Sequence, residues 1–308
     1  MIKKALIIPF FGKWPEWFDL YLYSLGKNPS LDVIFFTDIP TDGLRFVPDN
    51  AKFVKISFEE YCRKAGEKLG IEFKPARFYK LCDLKPFYPF IHREELLGYD
   101  YVGWGDIDLI YGALDSFFPD SKIFRYDIIS THCYIFSGHF ALIKNIPYIY
   151  ENFMNIPYWQ YFVSDPNNHI VDEIGLSYFL TPKLKYARYF YDKLGGYCGV
   201  HKGWAEAIMQ SLARLKYPQY HLKELYTTPI LERGKFITYK NGRVFDSSGR
   251  ELPYIHFQYF KSPNYKTSIV NCWAEDFYRV DNSFFNGYGT IIIDKDGIKS
   301  EPDVCRKK

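Results

Sequence analysis

The chain opens with a short, unbroken apolar run, ALIIPFF (5–11), and a second follows at LDVIFFTD (31–38), while AKFVKIS (51–57) reads as a third strand. Apolar runs of this length, without polar alternation, are expected of strands buried on both faces. Between the first two the period changes. Trp17, Leu20, Tyr21 and Leu25 recur at helical spacing, Pro15 suits a first turn, and Gly26 closes the run. The opening therefore reads β-α-β, with a right-handed crossover and a parallel sheet. Ser57 and Glu60 form a capping-box signature for a helix running to Leu69. ARFYKLCDLKPFYPFIHREEL continues helically with a break at Pro86, and YDYVGW (99–104) is the next strand.

After that strand the pattern changes. YDIISTHCYIFSGHFALIKN reads as strand, turn and strand, while VDEIGLSYFL and WAEAIMQSLARL read as helices. GKFITYKNGRVFD reads as a hairpin turned at Asn241-Gly242, with a further strand toward YIHFQYF. The expected organisation is an α/β half over 1–112, a mixed half over 113–262 completing the same domain, and a C-terminal extension over 263–308. There is no internal repeat and no low-complexity segment.

Composition adds little to that picture, with one exception. The 308 residues carry a formal charge of +3, too small to argue for nucleic acid. Six cysteines without a CxxC pair suit a reducing compartment and no zinc site. Lys3 and Lys4 precede a run too short for a membrane span and without a small-residue cleavage site, so the N-terminus reads as a strand, not a leader. The exception is the 28 Tyr and 28 Phe. They fit surfaces that stack on sugars or bases, or a membrane interface, and equally a genome favouring A·T-rich codons.

Candidate chemistry begins at YVGWGDIDLIYG. Asp106 and Asp108 alternate, so on an extended chain their side chains share a face. Two adjacent carboxylates repel unless solvated or bridged by a cation. No GxGxxG, GxxxxGK[ST] or GxSxG occurs, which removes the common phosphate-cradling loops and the nucleophile elbow. An aspartate-based phosphatase would carry its pair after the first strand, not the fourth.

An Asp-x-Asp closing a mid-chain strand behind a β-α-β opening resembles the GT-A glycosyltransferases. That resemblance implies a single large Rossmann-like α/β domain with a mixed central sheet. It also implies Mn²⁺ or Mg²⁺ held by Asp106 and Asp108, with the intervening Ile107 against a nucleotide-sugar. YIHFQYFK places His256 five residues before Lys261 and is similar to the His-x-x-Gly-x-x-Lys segment of the glycogenin and lipopolysaccharide-galactosyltransferase family. There the histidine is a third metal ligand and the lysine contacts the diphosphate. This chain departs from that segment, with Tyr259 at the glycine and no Pro-Trp after the lysine.

The same resemblance puts Lys80, Asp83 and Lys85 near the nucleotide, although three charges on one turn equally suit a solvated face. Asp38 is expected to accept from uracil beside a Phe10 or Phe11 platform, with a turn aspartate as the alternative. Asp172 or Glu173 is expected beside the donor or acceptor sugar, near the anomeric carbon as in retaining relatives or as the general base as in inverting ones, with carboxylates that merely open a helix as the alternative. Gly138 and His139 are expected near donor or acceptor sugar; His139 and His132 equally suit structural positions.

The expected activity is transfer of a hexose from a nucleotide-sugar, UDP-linked, to a surface-glycan or lipid-linked saccharide. Such an enzyme would be cytoplasmic or peripheral at the inner face of the membrane. A metal-dependent nucleotidyl- or phosphotransferase and a non-catalytic carbohydrate-binding protein are the alternatives. The first would want a glycine-rich loop after strand one, and the second has no use for Asp106, Asp108 and His256 together.

Overall fold

The computed structural model describes residues 2–131, 136–180, 219–221, 236–256, 289–294 and 297–301. Its three opening apolar runs are β1 (Lys4–Pro9), β2 (Leu31–Thr37) and β3 (Ala51–Lys55), with β4 (Tyr101–Gly105) beside β1. All four pair in parallel in the order β3-β2-β1-β4. The sheet then turns mixed. β7 (Phe140–Lys144) is antiparallel to β4 and to β6 (Ile128–Ser130), and β8 (Gln219–His221) is parallel to β6. The chain thus adopts the α/β fold that the sequence pattern predicts, with the mixed central sheet that the family resemblance implies.

Helix α1 (Phe18–Gly26) starts later than Pro15 suggests, because Glu16 and Trp17 form a turn whose first carbonyl, on Pro15, accepts the Phe18 N–H at 2.9 Å. Helix α2 (Phe58–Leu69) begins and ends as read: the Ser57 hydroxyl accepts the Glu60 N–H at 3.1 Å, and Gly70 leaves the helix at φ 66°. The region after Arg77 differs from a regular helix. Phe78–Phe87 is a 3₁₀ segment and only Tyr88–Ile91 is α-helical. Pro86 and Pro89 each remove an N–H there, which favours the shorter, tighter form.

Phe36, Tyr61, Phe87 and Trp104 pack on one face of the central sheet, and Phe18, Tyr21, Phe35 and Phe140 on the other. The hairpin of β9 (Ile237–Lys240) and β10 (Arg243–Asp246) turns at Asn241 and Gly242, both at positive φ (51° and 76°). With β11 (Glu251–Leu252), β13 (Thr290–Asp294) and β14 (Gly297–Glu301) it forms a second, antiparallel sheet. Trp17, just before α1, and Leu20 of α1 bury against Ile237, Val244 and Ile291 of that sheet. The described part of the C-terminal extension therefore closes a sheet.

Two short strands tie the halves together. β12 (Tyr254–His256) pairs antiparallel with β5 (Leu109–Tyr111), setting His256 opposite Leu109. Among the described residues no helix is long and apolar enough to cross a membrane. The WAEAIMQSLARL helix, His132 and Lys261 lie outside the described residues.

Candidate metal and transfer site

Asp106, Ile107 and Asp108 form the link from β4 to β5, at the carboxyl edge of the parallel strands, where open α/β sheets offer their crevice. The link bends at Ile107 and Asp108, so the two carboxylates do not alternate along a straight strand. The bend is braced at three points. The Asp106 N–H donates to the His139 carbonyl at 2.9 Å, the Ile107 carbonyl accepts the Trp17 indole N–H at 2.9 Å, and β5 is held by β12. Gly103 lets β4 lie close to β7: a Cβ there would sit 1.9 Å from the Ala141 carbonyl oxygen. The glycine in YVGWG thus brings the acid-bearing strand against β7.

The β5–β12 pairing delivers His256 to the same point, with Nε2 3.4 Å from an Asp108 carboxylate oxygen. One ligand atom from each of Asp106, Asp108 and His256 lies within 4.8 Å of the others. Ligand atoms bonded to one hard cation at about 2.1–2.4 Å lie at most about twice that apart. Two carboxylates and an imidazole at this spacing fit a divalent cation with little closure.

A cleft of about 240 Å³ opens beside the acids, lined among others by Phe10, Phe11, Tyr79, Lys85 and Ile107. Phe10 is partly exposed and stacks on Trp14 at 5.5 Å, while Phe11 is 3% exposed and packs on Tyr61 and Phe58. Asp38 is exposed on the bend after β2; nearby, the Phe36 carbonyl accepts the Phe10 N–H at 2.9 Å. A larger, mainly apolar groove of about 740 Å³ runs along α2 and contains none of the candidate site residues.

Lys85 binds the acids into one network. Its ammonium donates to Asp106 Oδ1 at 2.7 Å and to the Gly138 carbonyl at 2.8 Å, and lies 3.5 Å from Asp172 Oδ2. Burial opposes its charge, but Asp106, Cys82 and Asp172 outweigh that and hold it well above the usual lysine range. Asp172 and Glu173 come from a single π-helical turn, Val171–Gly175, entered through Ile170 at φ 55°. A π turn and a left-handed isoleucine are unfavourable locally and are found where function requires them. Burial raises the Asp172 carboxyl to about 7 despite Lys85, and raises Glu173 in the same way.

Gly138 faces both acids. A Cβ there would lie 2.6 Å from Glu173 Oε1 and 2.9 Å from Asp172 Oδ2. Gly138→Ala is accordingly expected to push the Glu173 carboxylate aside, lowering any turnover this site supports about tenfold or more, as a misplacement of about an ångström does, with a change in melting temperature of no more than a few degrees. Unchanged kinetics together with an unchanged fold would show that the close approach serves neither acid.

Lys80 and Asp83 do not join this group. They are 2% and 0% exposed and pair at 2.8 Å. Lys80 also donates to the carbonyls of Phe162 and Asn167, both at 2.5 Å, while the Asp83 oxygens accept the N–H groups of His169 and Val171, both at 2.9 Å. The pair ties down the backbone that enters the π turn, away from the cleft. Nothing in the local pattern marks this role, because the partners are main-chain groups more than eighty residues on. Nor does that pattern single out Tyr79 and Cys82, which line the cleft, or Tyr254, whose hydroxyl lies 2.8 Å from His139.

Residues 6–286 match the model of a family of unknown function (DUF6625), and the chain therefore belongs to that family. No curated protein matches it. Two solved structures of the glycosyltransferase GlyE from Streptococcus pneumoniae TIGR4, one of them the apo form, are similar at 12% identity and a TM-score of 0.30. The matched region covers 71% of this chain and 45% of GlyE, so the chain spans less than half the length of that protein.

Proposed function

We propose that this DUF6625 member is a metal-dependent glycosyltransferase of GT-A type that moves a hexose from a nucleotide-sugar to a saccharide acceptor. One observation carries the reading. Asp106, Asp108 and His256, about 150 residues apart in sequence, converge within 4.8 Å at the carboxyl edge of the parallel strands. Those three would hold Mn²⁺ or Mg²⁺, which when bound supplies a hard positive charge for the diphosphate leaving group. A structural acid pair would not need a histidine from the far end of the domain.

The chain's own residues divide the remaining work. Phe10 offers a ring at the cleft for the base, and Asp38 is the acceptor for a uracil N–H. Lys85 holds Asp106 toward the metal position and keeps Asp172 beside Gly138. Asp172, with its carboxyl near neutrality, exchanges a proton with the acceptor hydroxyl, since a catalytic group works best with a pKa close to the working pH. Glu173 orients the sugars. Lys261 completes the diphosphate site, so Lys261→Ala is expected to lower kcat about 10²-fold, more than it raises the donor KM. Equal kcat would remove Lys261 from the reaction. The acceptor is a surface glycan or a lipid-linked precursor, met in the cytoplasm or at the cytoplasmic membrane face.

The test is a melting panel of nucleotide-sugars with and without Mn²⁺, on wild type and Asp38→Ala. A ligand specific to the folded state stabilises it by about 2.7 kcal/mol at a hundredfold excess over Kd. UDP-hexoses are expected to protect only with Mn²⁺. Asp38→Ala should weaken that protection, in line with the roughly 1–3 kcal/mol cost of an unpaired polar group. Equal protection by GDP-sugars would overturn the uracil assignment, and protection unaffected by Mn²⁺ would overturn the metal-bridged donor.

A further inference from the structure

We propose that His139 is the positioning residue of the metal centre, a role that rests on the metal reading above. The residue was expected from sequence at the donor or acceptor sugar. It is 5% exposed and lies against His256. The two imidazoles stack, with centroids 4.0 Å apart and planes 23° from parallel. The His139 carbonyl accepts the Asp106 N–H at 2.9 Å. One residue thus touches two of the three ligand-bearing positions, on elements far apart in the chain.

Its own orientation is fixed on two sides. Nε2 lies 2.8 Å from the Tyr254 hydroxyl, two residues before His256 on the same strand. Nδ1 lies 3.2 Å from the Ser137 hydroxyl, and Thr131 Oγ1 lies 3.4 Å from Nε2. A ligand imidazole must present one nitrogen along one direction, and its ring turns easily about the last side-chain torsion unless something flat lies against it. The His139 ring supplies that flat surface, and its hydrogen bonds hold the surface still. An apolar side chain would fill the space without drawing polar partners into a buried site. Outer groups that orient a ligand commonly change metal affinity 10–100-fold when removed.

The test is Mn²⁺ titration of the full chain, followed by loss of the free-ion electron paramagnetic resonance signal, with melting in EDTA recorded for each variant. Wild type is expected to bind Mn²⁺, and Asp108→Ala to lose most of that binding. His139→Leu, which fills the space without a flat ring, and His139→Ala should each raise the Mn²⁺ Kd 10–100-fold. His139→Phe, which keeps the flat ring but loses its hydrogen bonds, should bind Mn²⁺ more tightly than His139→Leu and more weakly than wild type. Should His139→Ala fail to fold, the Leu and Phe pair decides. Wild-type affinity in His139→Leu, with Asp108→Ala impaired, overturns the positioning role and leaves the metal reading standing. A Phe variant as weak as Leu overturns the stacking argument. No Mn²⁺ binding by wild type overturns both.

Discussion

Asp108→Ala is expected to lower metal-dependent turnover by about 10²–10³-fold, while leaving the metal-free protein as stable as wild type. Asp108 is 2% exposed, close to Asp106 and 3.4 Å from His256. Two carboxylates this close repel when no cation lies between them, so deleting one costs the empty site little and relieves that repulsion. With metal present the balance reverses, since the ligand that would hold the cation is gone. Melting in EDTA and in Mn²⁺ separates the two effects. Wild type should gain stability from Mn²⁺ and the variant should not. A variant that melts many degrees lower in EDTA would show Asp108 to be a structural group.

Asp172→Asn is expected to stabilise the protein at pH 8 and to lower turnover by about 10²–10⁴, the usual span for loss of an acid-base group. In the fold the Asp172 carboxyl titrates at about 7, against an ordinary value of 3.8. Between those values the folded chain holds a proton that the unfolded chain has released, so stability falls as pH rises through the window. Above about pH 7 the whole cost of the buried charge is present, on the order of a few kcal/mol. The amide carries no charge and escapes most of it, so the gain should be largest at pH 8 and shrink toward pH 4. Wild-type turnover should rise with pH through about 7 if the ionised carboxylate is the working form. A variant equally active and no more stable at pH 8 would place Asp172 outside both the chemistry and the charge balance.

Much of this molecule is legible in sequence where one local rule acts alone. Continuous apolar runs gave β1, β2 and β4, Ser57 and Gly70 bounded α2, and Asn241-Gly242 turned its hairpin. Asp106 and Asp108 were legible as candidates because buried strands rarely carry acids without a reason, and His256 through its resemblance to a His-x-x-Gly-x-x-Lys segment. What local pattern does not reveal is which backbone a charge will meet. Lys80, Asp83 and Lys85 read alike on one turn, yet the first two tie to the main chain of residues 162–171 and only Lys85 reaches Asp106. His139 reads like any strand-end histidine; its stacking on His256 depends on the β5–β12 pairing, which joins residues about 145 apart. The π turn is equally invisible, because VDEIGLSYFL has an ordinary helical period until Asp83 fixes its start.

In the proposed function, Asp106, Asp108 and His256 hold one divalent cation that meets a nucleotide diphosphate. A crystal grown with Mn²⁺ and UDP, measured at the manganese edge, tests it most directly. One anomalous peak is expected within about 2.0–2.4 Å of an oxygen from each aspartate, a His256 nitrogen and the diphosphate. UDP bound in the cleft with no anomalous peak between those three side chains, or a peak held by other residues, would contradict it.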